Sequence, residues 1–302
     1  MRLCFTFLLL AGLLLLVPRN SPAQVSTRDR KAWNAPVKPF PIVGNLYYVG
    51  AHGVSSFLIS TPEGLIVLDG GFAETAPLIE RNIRTLGFQL TKIKYLLNSH
   101  AHYDHCGGLA QLKRDSGAQL VASAPDSEAL NTGHQLNYGP GQREAYFPKV
   151  HVDRTIKDGE RVSLGGAVLT AHLTPGHTKG CTTWTMPVQE HGAKHNVVFY
   201  CSTSVAGNLL VNNPSYRDIV VDYESSFAAL RKLPCDVFLG PHPAFFQMDD
   251  KLKRRNAGQH NVFIEPKELS KFIEDSQRDF ELELARQQAA AHHKGPRQQG
   301  RT

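Results

Sequence analysis

The stretch Asn98-Ser99-His100-Ala101-His102-Tyr103-Asp104-His105-Cys106-Gly107-Gly108 crowds three imidazoles and one carboxylate into six positions. It follows Ile93-Lys94-Tyr95-Leu96-Leu97, whose length and β-branched or aromatic content read as a buried strand. After it, Gly107-Gly108 opens a helix-like segment, Leu109 to Arg114. The polar run is therefore a strand-to-helix turn, where alternate side chains converge on one mouth. Imidazole plus carboxylate is a zinc-type donor set, and four such groups in six positions argue against a plain solvated loop. A catalytic zinc takes three protein ligands and keeps one position open. His100, His102, Asp104 and His105 are too many for one such site and too few for two. The fold must therefore bring other strand ends to this turn.

Two distant histidines stand at such ends. His177 lies between Gly176 and Thr178, after Pro175, on a loop closing the expected strand 167–173. His242 lies between Pro241 and Pro243 after the expected strand 237–239. Each alone is an ordinary loop histidine, although both stand at strand ends of the kind the turn calls for. The nine other histidines read as surface or packing residues.

With 302 residues the chain has room for one large domain or two small ones. Arg2, the mostly apolar run Leu3 to Val17, Pro18 and the small-residue ending Ser21-Pro22-Ala23 have the form of a secretory leader cut before Gln24. A membrane span needs about 20 apolar residues, more than this run offers. Residues 1–23 are thus expected to be removed, 24–290 to form a single domain, and 291–302 a disordered tail. The mature chain would be exported to the periplasm, free of the membrane and monomeric. Losing Arg2 and Arg19 takes the formal net charge from +6 to +4, and Lys294, Arg297 and Arg301 hold three of what remains. Nucleic acid is not an expected partner. The short basic cluster Lys251-Leu252-Lys253-Arg254-Arg255 reads as the solvated side of a helix rather than a binding face. Cys106, Cys181, Cys201 and Cys235 survive leader removal, which permits three pairings in an oxidising compartment. A body this long needs no staple, and the expectation is that no disulfide is required.

Pro39 to Val49, Gly53 to Ser60 and Leu65 to Leu68 read as strands, and Ala76 to Leu86 as a helix with Ile79, Ile83 and Leu86 on one face. Strand 93–97, helix 109–115 and strand 119–122 follow. Asn131 to Lys149 lacks periodicity, and is a loop or a flap beside the histidine turn. In the second half, strands 161–164 and 167–173 flank a Gly165-Gly166 hairpin turn. Strands 181–186 and 196–200, split by the turn 189–195, precede a helix capped by Asp222 with Tyr223, Phe227 and Leu230 on one face. Strand 237–239 and a helix from Pro266 to Ala290 close the chain. Strands interleaved with helices after an opening run of strands suggest sheets covered by helices.

The histidine turn resembles the zinc-binding signature of the metallo-β-lactamase superfamily. The likeness continues in Leu65-Ile66-Val67-Leu68-Asp69-Gly70-Gly71, Thr174-Pro175-Gly176-His177-Thr178-Lys179-Gly180 and Gly240-Pro241-His242-Pro243, and covers about Pro39 to Ala257. It implies an α/β (α+β) fold, an αββα sandwich of two mixed β-sheets with helices on the outer faces. It implies two zinc ions per chain, one on His100, His102 and His177, the other on Asp104, His105 and His242. Asp69 resembles the carboxylate that orients a ligand imidazole through its other nitrogen, although it also suits the turn before Gly70-Gly71. A hydroxide shared by two zincs would be the nucleophile, with Asp104 helping to orient it, and no serine nucleophile is required.

The superfamily contains thioesterases, lactonases, nucleases and β-lactamases, so fold alone does not choose. Thioesterase and lactonase relatives carry a zinc-bridging aspartate in the region of Tyr200-Cys201-Ser202-Thr203-Ser204-Val205, and none of these residues is acidic. One β-lactamase subclass uses a cysteine ligand there, which brings Cys201 into question. The ligand set and nearby serines resemble the third subclass instead, where two serines, here Ser202 and Ser204, hold the substrate carboxylate. Cys201 then belongs to the core. The resemblance implies an exported zinc β-lactamase acting on small β-lactams and conferring resistance. The alternatives are a related di-zinc hydrolase of lactones or thioesters, and a zinc-binding protein without catalysis. Relatives often bridge the position of Cys235 to their C-terminal helix, and this chain has no cysteine after Cys235.

Overall fold

All five residues of Gly64–Leu68 are buried, which requires cover on both faces of the sheet. The computed structural model, describing residues 27–293 apart from 141, 143 and 144, shows that cover. The leader assigned to residues 1–23 lies outside the described residues, as does 294–302. The described chain begins with α1 (Thr27–Trp33), followed by β1 (Phe40–Val43), β2 (Leu46–Tyr48), β3 (Phe57–Thr61) and β4 (Gly64–Leu68). Then come α2 (Ala76–Thr85), β5 (Ile93–Leu97), α3 (Tyr103–Cys106), α4 (Leu109–Ser116), β6 (Gln119–Ser123), α5 (Ala124–Thr132) and β7 (Arg154–Ile156). The second half holds β8 (Arg161–Leu164), β9 (Ala167–Leu173), β10 (Thr182–Glu190), β11 (Ala193–Phe199), α6 (Ile219–Leu230), β12 (Val237–Leu239), α7 (Met248–Asn256) and α8 (Glu268–His293).

Strands β1 to β7 form one sheet in sequence order, antiparallel through β4 and parallel from β4 to β7. The other sheet runs β12-β11-β10-β9-β8, with only β11 and β12 parallel. Side-chain alternation gives each strand two jobs. Ile66 and Leu68 of β4 join Leu97, Phe57 and Trp184 in the core shared with the second sheet. Leu65 and Val67 point the other way, to Ile79 and Ile83 of α2 and Leu109 and Leu112 of α4. Helices α6 and α8 supply Tyr223, Phe227, Ile273 and Phe280 to the core of the second sheet. The expected αββα sandwich is the observed fold.

Several boundaries differ from the sequence reading. Gly44, at φ +53°, splits the expected strand 39–49 into the β1–β2 hairpin, and the strand expected from Gly53 starts at Phe57. β10 runs on to Glu190, so its turn with β11 tightens to His191-Gly192, both at positive φ. Helix α6 begins at Ile219 with Asp218, not Asp222, at its N-cap. Helices α1 and α5 were not expected. The Ser123 hydroxyl accepts from the Asp126 N–H to start α5, and Pro125 sits in its first turn. Helix α8 continues through Ala291–His293, assigned above to the disordered tail. Lys251 is fully buried, ion-paired to Glu268 and Glu265 and set over the Phe263 ring, so the basic cluster is not wholly solvated.

The structure also carries a disulfide, Cys181–Cys201, with Cα atoms 5.9 Å apart. Trp184 of β10 pairs with Phe199 of β11, so residues 181 and 201 emerge side by side just past the ladder. That proximity depends on strand register, which cysteine spacing does not reveal. Cys106 and Cys235 are free.

Candidate metal centre

The C-terminal ends of β4, β5, β9, β11 and β12 open onto one edge of the sandwich, the usual place for a site in sheets of this kind. The histidine turn follows β5, His177 follows β9, the 200–208 loop follows β11 and His242 follows β12. The loops are stitched together: Thr182 N–H donates to the Ser99 carbonyl (2.8 Å), and Ser55 N–H to the Pro241 carbonyl (2.8 Å).

Two triads result. His100, His102 and His177 bring one side-chain nitrogen each to within 4.8 Å of one another, and Asp104, His105 and His242 do the same with their donor atoms. The rings of His102 and His177 are 4.5 Å apart, those of His105 and His242 4.7 Å, and His100 joins the triads at 4.5 Å from His105. Among the described residues, no other histidine enters such a cluster.

Most of these imidazoles are held by the nitrogen that faces away from the cleft. His177 Nδ1 donates to the Ser204 carbonyl (2.8 Å) and His242 Nδ1 to that of Gly53 (2.9 Å). His100 Nδ1 bonds the Ser99 hydroxyl (3.0 Å). The two carbonyls set the tautomers of His177 and His242 and turn their Nε2 to the cleft, and His100 Nε2 is left without a partner. Burial holds all three, and His102, below the usual histidine range, to about 4 for His177 and His242. They are neutral near pH 7. Asp104 differs. Burial pushes its carboxyl up, but His105 close by outweighs this and holds it well below the usual range. His105 is raised in turn, burial being overcome by Asp104, whose Oδ2 lies 3.3 Å from His105 Nε2 and 3.8 Å from His242 Nε2.

Does this donor set fit a metal? His100 Nε2 and His105 Nδ1 are buried without a hydrogen-bond partner, a state that costs free energy. A cluster of mutually hydrogen-bonded histidines would have satisfied the first. Neutral nitrogens and an ionised carboxylate converging in threes suit a borderline-soft divalent cation.

A family model described as "Metallo-beta-lactamase superfamily" matches residues 49–242. The chain belongs to that superfamily. Among solved structures, BJP-1, a subclass B3 metallo-β-lactamase of Bradyrhizobium japonicum, is 44% identical with a TM-score of 0.81, over 86% of this chain and 98% of that one. The FEZ-1 metallo-β-lactamase of Legionella gormanii is 38% identical with a TM-score of 0.79, over 84% of this chain and 98% of its own. The hydroxyacylglutathione hydrolase of Rhodospirillum rubrum is 33% identical over 38% of this chain. The match spans only 35% of that protein, and about a third of the next curated relatives.

Within this superfamily site, some residues stand where the sequence did not put them. Asp69, at φ +62°, accepts from the Ser99 N–H (2.7 Å) and the Asn98 amide (3.3 Å), not from an imidazole. Its carboxyl is raised to about 6, by burial first and against the pull of His105. It shapes the backbone leading into His100 rather than aiming a ring. Ser202 is buried and Ser204 exposed, their hydroxyls 3.1 Å apart. Cys201, tied to Cys181, offers no thiolate.

Sequence reasoning also missed Asp126 and Trp33. The buried Asp126 carboxylate accepts from the Ala101 N–H (2.9 Å), between His100 and His102, and from the Thr178 hydroxyl (3.3 Å), beside His177. The Ser-x-x-Asp spacing after a strand was a helix-start signal that could have drawn attention to it. Trp33 of α1 packs edge-on against His242, ring centroids 4.9 Å apart. No local pattern marks a tryptophan 209 residues from its partner.

Proposed function

We propose that this superfamily hydrolase is a zinc-dependent β-lactamase of the B3 type, acting on the cyclic amide of penicillins, cephalosporins and carbapenems. The observation that carries the reading is the make-up of the site. An all-imidazole triad and an Asp-His-His triad stand beside a 200–205 loop that offers hydroxyls and no carboxylate. Likeness to subclass B3 enzymes along nearly their full chains supports it, whereas the thioesterase match is partial.

His100, His102 and His177 would hold one zinc, and Asp104, His105 and His242 the other. Bound there, zinc would supply Lewis acidity and lower the pKa of water to about 7. The chain's own residues prepare that chemistry. The carbonyls of Gly53 and Ser204 lock two imidazole tautomers, so little reorganisation remains on ligation. The ionised Asp104 carboxylate can accept a hydrogen bond from water in the cleft and so turn a lone pair toward the substrate carbonyl. The exposed Ser204 hydroxyl can donate to the carboxylate that β-lactams carry, with Ser202 behind it. Ser204 is unsuited to act as a nucleophile. The imidazole nearest its hydroxyl, His177 Nδ1 at 3.2 Å, already donates its proton to a carbonyl and cannot serve as a base.

The same reading makes the protein an exported periplasmic monomer whose expression confers resistance, measured by cell fractionation and by β-lactam susceptibility. The deciding assay compares metal-free and zinc-reconstituted protein on a chromogenic cephalosporin, a glutathione thioester and an acyl lactone. Zinc-dependent turnover should be greatest on the cephalosporin. Dominant thioester or lactone turnover would transfer the protein to the alternative hydrolases, and zinc uptake without any turnover would leave a binding protein.

A further inference from the structure

We infer that Asn208 is a positioning residue that aims His177, and that it serves one triad and not the other. The inference rests on reading His100, His102 and His177 as a metal site. Asn208 lies on the loop between β11 and α6 and is 2% exposed. Its amide Nδ2 faces three oxygens: the carbonyls of Gly176 (3.3 Å) and His177 (3.1 Å) and the hydroxyl of Tyr223 (3.3 Å). The Tyr223 hydroxyl donates onward to the Ser204 carbonyl (2.8 Å). That same carbonyl accepts the proton on His177 Nδ1 (2.8 Å). One amide therefore grips His177 twice, directly at its backbone and, through Tyr223 and Ser204, at its imidazole.

The other end of the amide fixes its orientation. Asn208 Oδ1 accepts from Gln142 Nε2 (2.9 Å), and Gln142 Oε1 accepts from the N–H groups of Tyr138 (2.7 Å) and Gly139 (3.0 Å). A flipped Asn208 would put its oxygen against two carbonyls and its nitrogen against another donor. Nor can the loop slide. Gly176 is at φ +133°, and a Cβ there would come within 2.8 Å of the Tyr223 ring. Tying down a loop would call only for packing, whereas this arrangement needs a donor at one atom and an acceptor at the next. The second triad has no share in it: His242 is held by Gly53, and Asp104 and His105 come from α3.

The test uses metal-stripped mature protein and measures zinc affinity at each site by chelator competition, with cobalt absorption spectra reporting ligand geometry. Asn208→Asp keeps the shape and turns the donor into an acceptor facing two carbonyls. It should weaken one site about ten- to a hundredfold, the range for losing a group that orients a ligand. The weakened site should be the one lost in His177→Ala, and the other should stay within about twofold. Turnover lost at limiting zinc should return at excess zinc, which a collapsed fold would not allow. Tyr223→Phe removes only the relay hydroxyl, and should weaken the same site by a smaller factor even if Asn208→Asp fails to fold. Equal weakening of both sites, or of neither, would overturn the inference. A wild-type chain that takes up no metal would instead refute the metal reading beneath it.

Discussion

The two triads touch, with rings 4.5 Å apart at His100 and His105, yet they are assembled differently. The His100/His102/His177 set is built by contacts that are long in sequence. Asp69 and Asp126 grip the backbone on either side of His100, and the Cys181–Cys201 bridge ties the His177 loop to the Ser204 loop. Its imidazoles are neutral and burial keeps them so. The Asp104/His105/His242 set takes two members from a single helical turn and one from a clamp of Gly53, Trp33 and two prolines. Burial keeps His242 neutral here too, but Asp104 and His105 set each other's charge. The first triad should therefore fail by loosening of its supports, the second by loss of a charge.

The largest expected effect is shared by both. Complete removal of metal by a chelator should abolish turnover and be reversed by zinc, and His102→Ala should abolish it at ordinary zinc concentrations. Activity that survives verified metal removal would make the comparison irrelevant to catalysis. Next is Asp104→Asn. Metal analysis should show the second site emptied and the first retained, with turnover falling by more than the roughly 10–100-fold typical of losing a group behind a ligand. If the all-imidazole site empties too, the triads are not separable.

Opening the disulfide tests the first triad's supports. A sequence separation of 20 corresponds to about 3 kcal/mol of stability in the chain-entropy account, read by denaturant unfolding of the Cys181→Ala/Cys201→Ala variant against wild type. Zinc affinity should fall at the His177 site alone. A loss below about 1 kcal/mol, far short of that figure, would mean the loops hold without the bridge. For Ser204→Ala, loss of a hydrogen bond to a charged carboxylate is worth about 1.5–3 kcal/mol, or roughly tenfold to a hundredfold in kcat/KM, taken mainly in KM with both metals retained. Ser202→Ala, whose hydroxyl is buried, should cost less. The reverse order would place the carboxylate grip on Ser202.

A final effect is one of pH. Burial raises the Asp126 carboxyl to about 7, against hydrogen bonds from Ala101 and Thr178 that pull it down. A carboxyl raised on folding binds its proton more tightly in the folded chain, so its contribution favours folding at low pH and is lost as pH rises through about 4 to 7. Metal-free wild type should lose stability relative to Asp126→Asn across that window, as followed by paired melting midpoints from pH 4 to 8. A constant difference would show that Asp126 stays ionised throughout.

What the sequence determined alone is what short spacing encodes. The four donors of the 100–105 turn, the buried strands β4 and β5, the apolar faces of α2 and α8, and the Gly165-Gly166 hairpin all depend on residues within a few positions of one another. His177 and His242 were legible because each stands at a strand end in a Gly- or Pro-framed segment that matches the superfamily's pattern. Helix α5 was missed despite its Ser123 cap because its apolar face is weak, with Ala129 and Leu130 its only buried hydrophobic residues. Tertiary structure alone decided which cysteines pair, that Lys251 is buried against Glu268, that Asp69 holds the Ser99 backbone rather than a ring, and that Ser204, not Ser202, meets solvent. Each of these depends on which faces of two sheets come together, and burial then decides whether a polar group must find a partner across that junction. No spacing within one strand or loop carries that information.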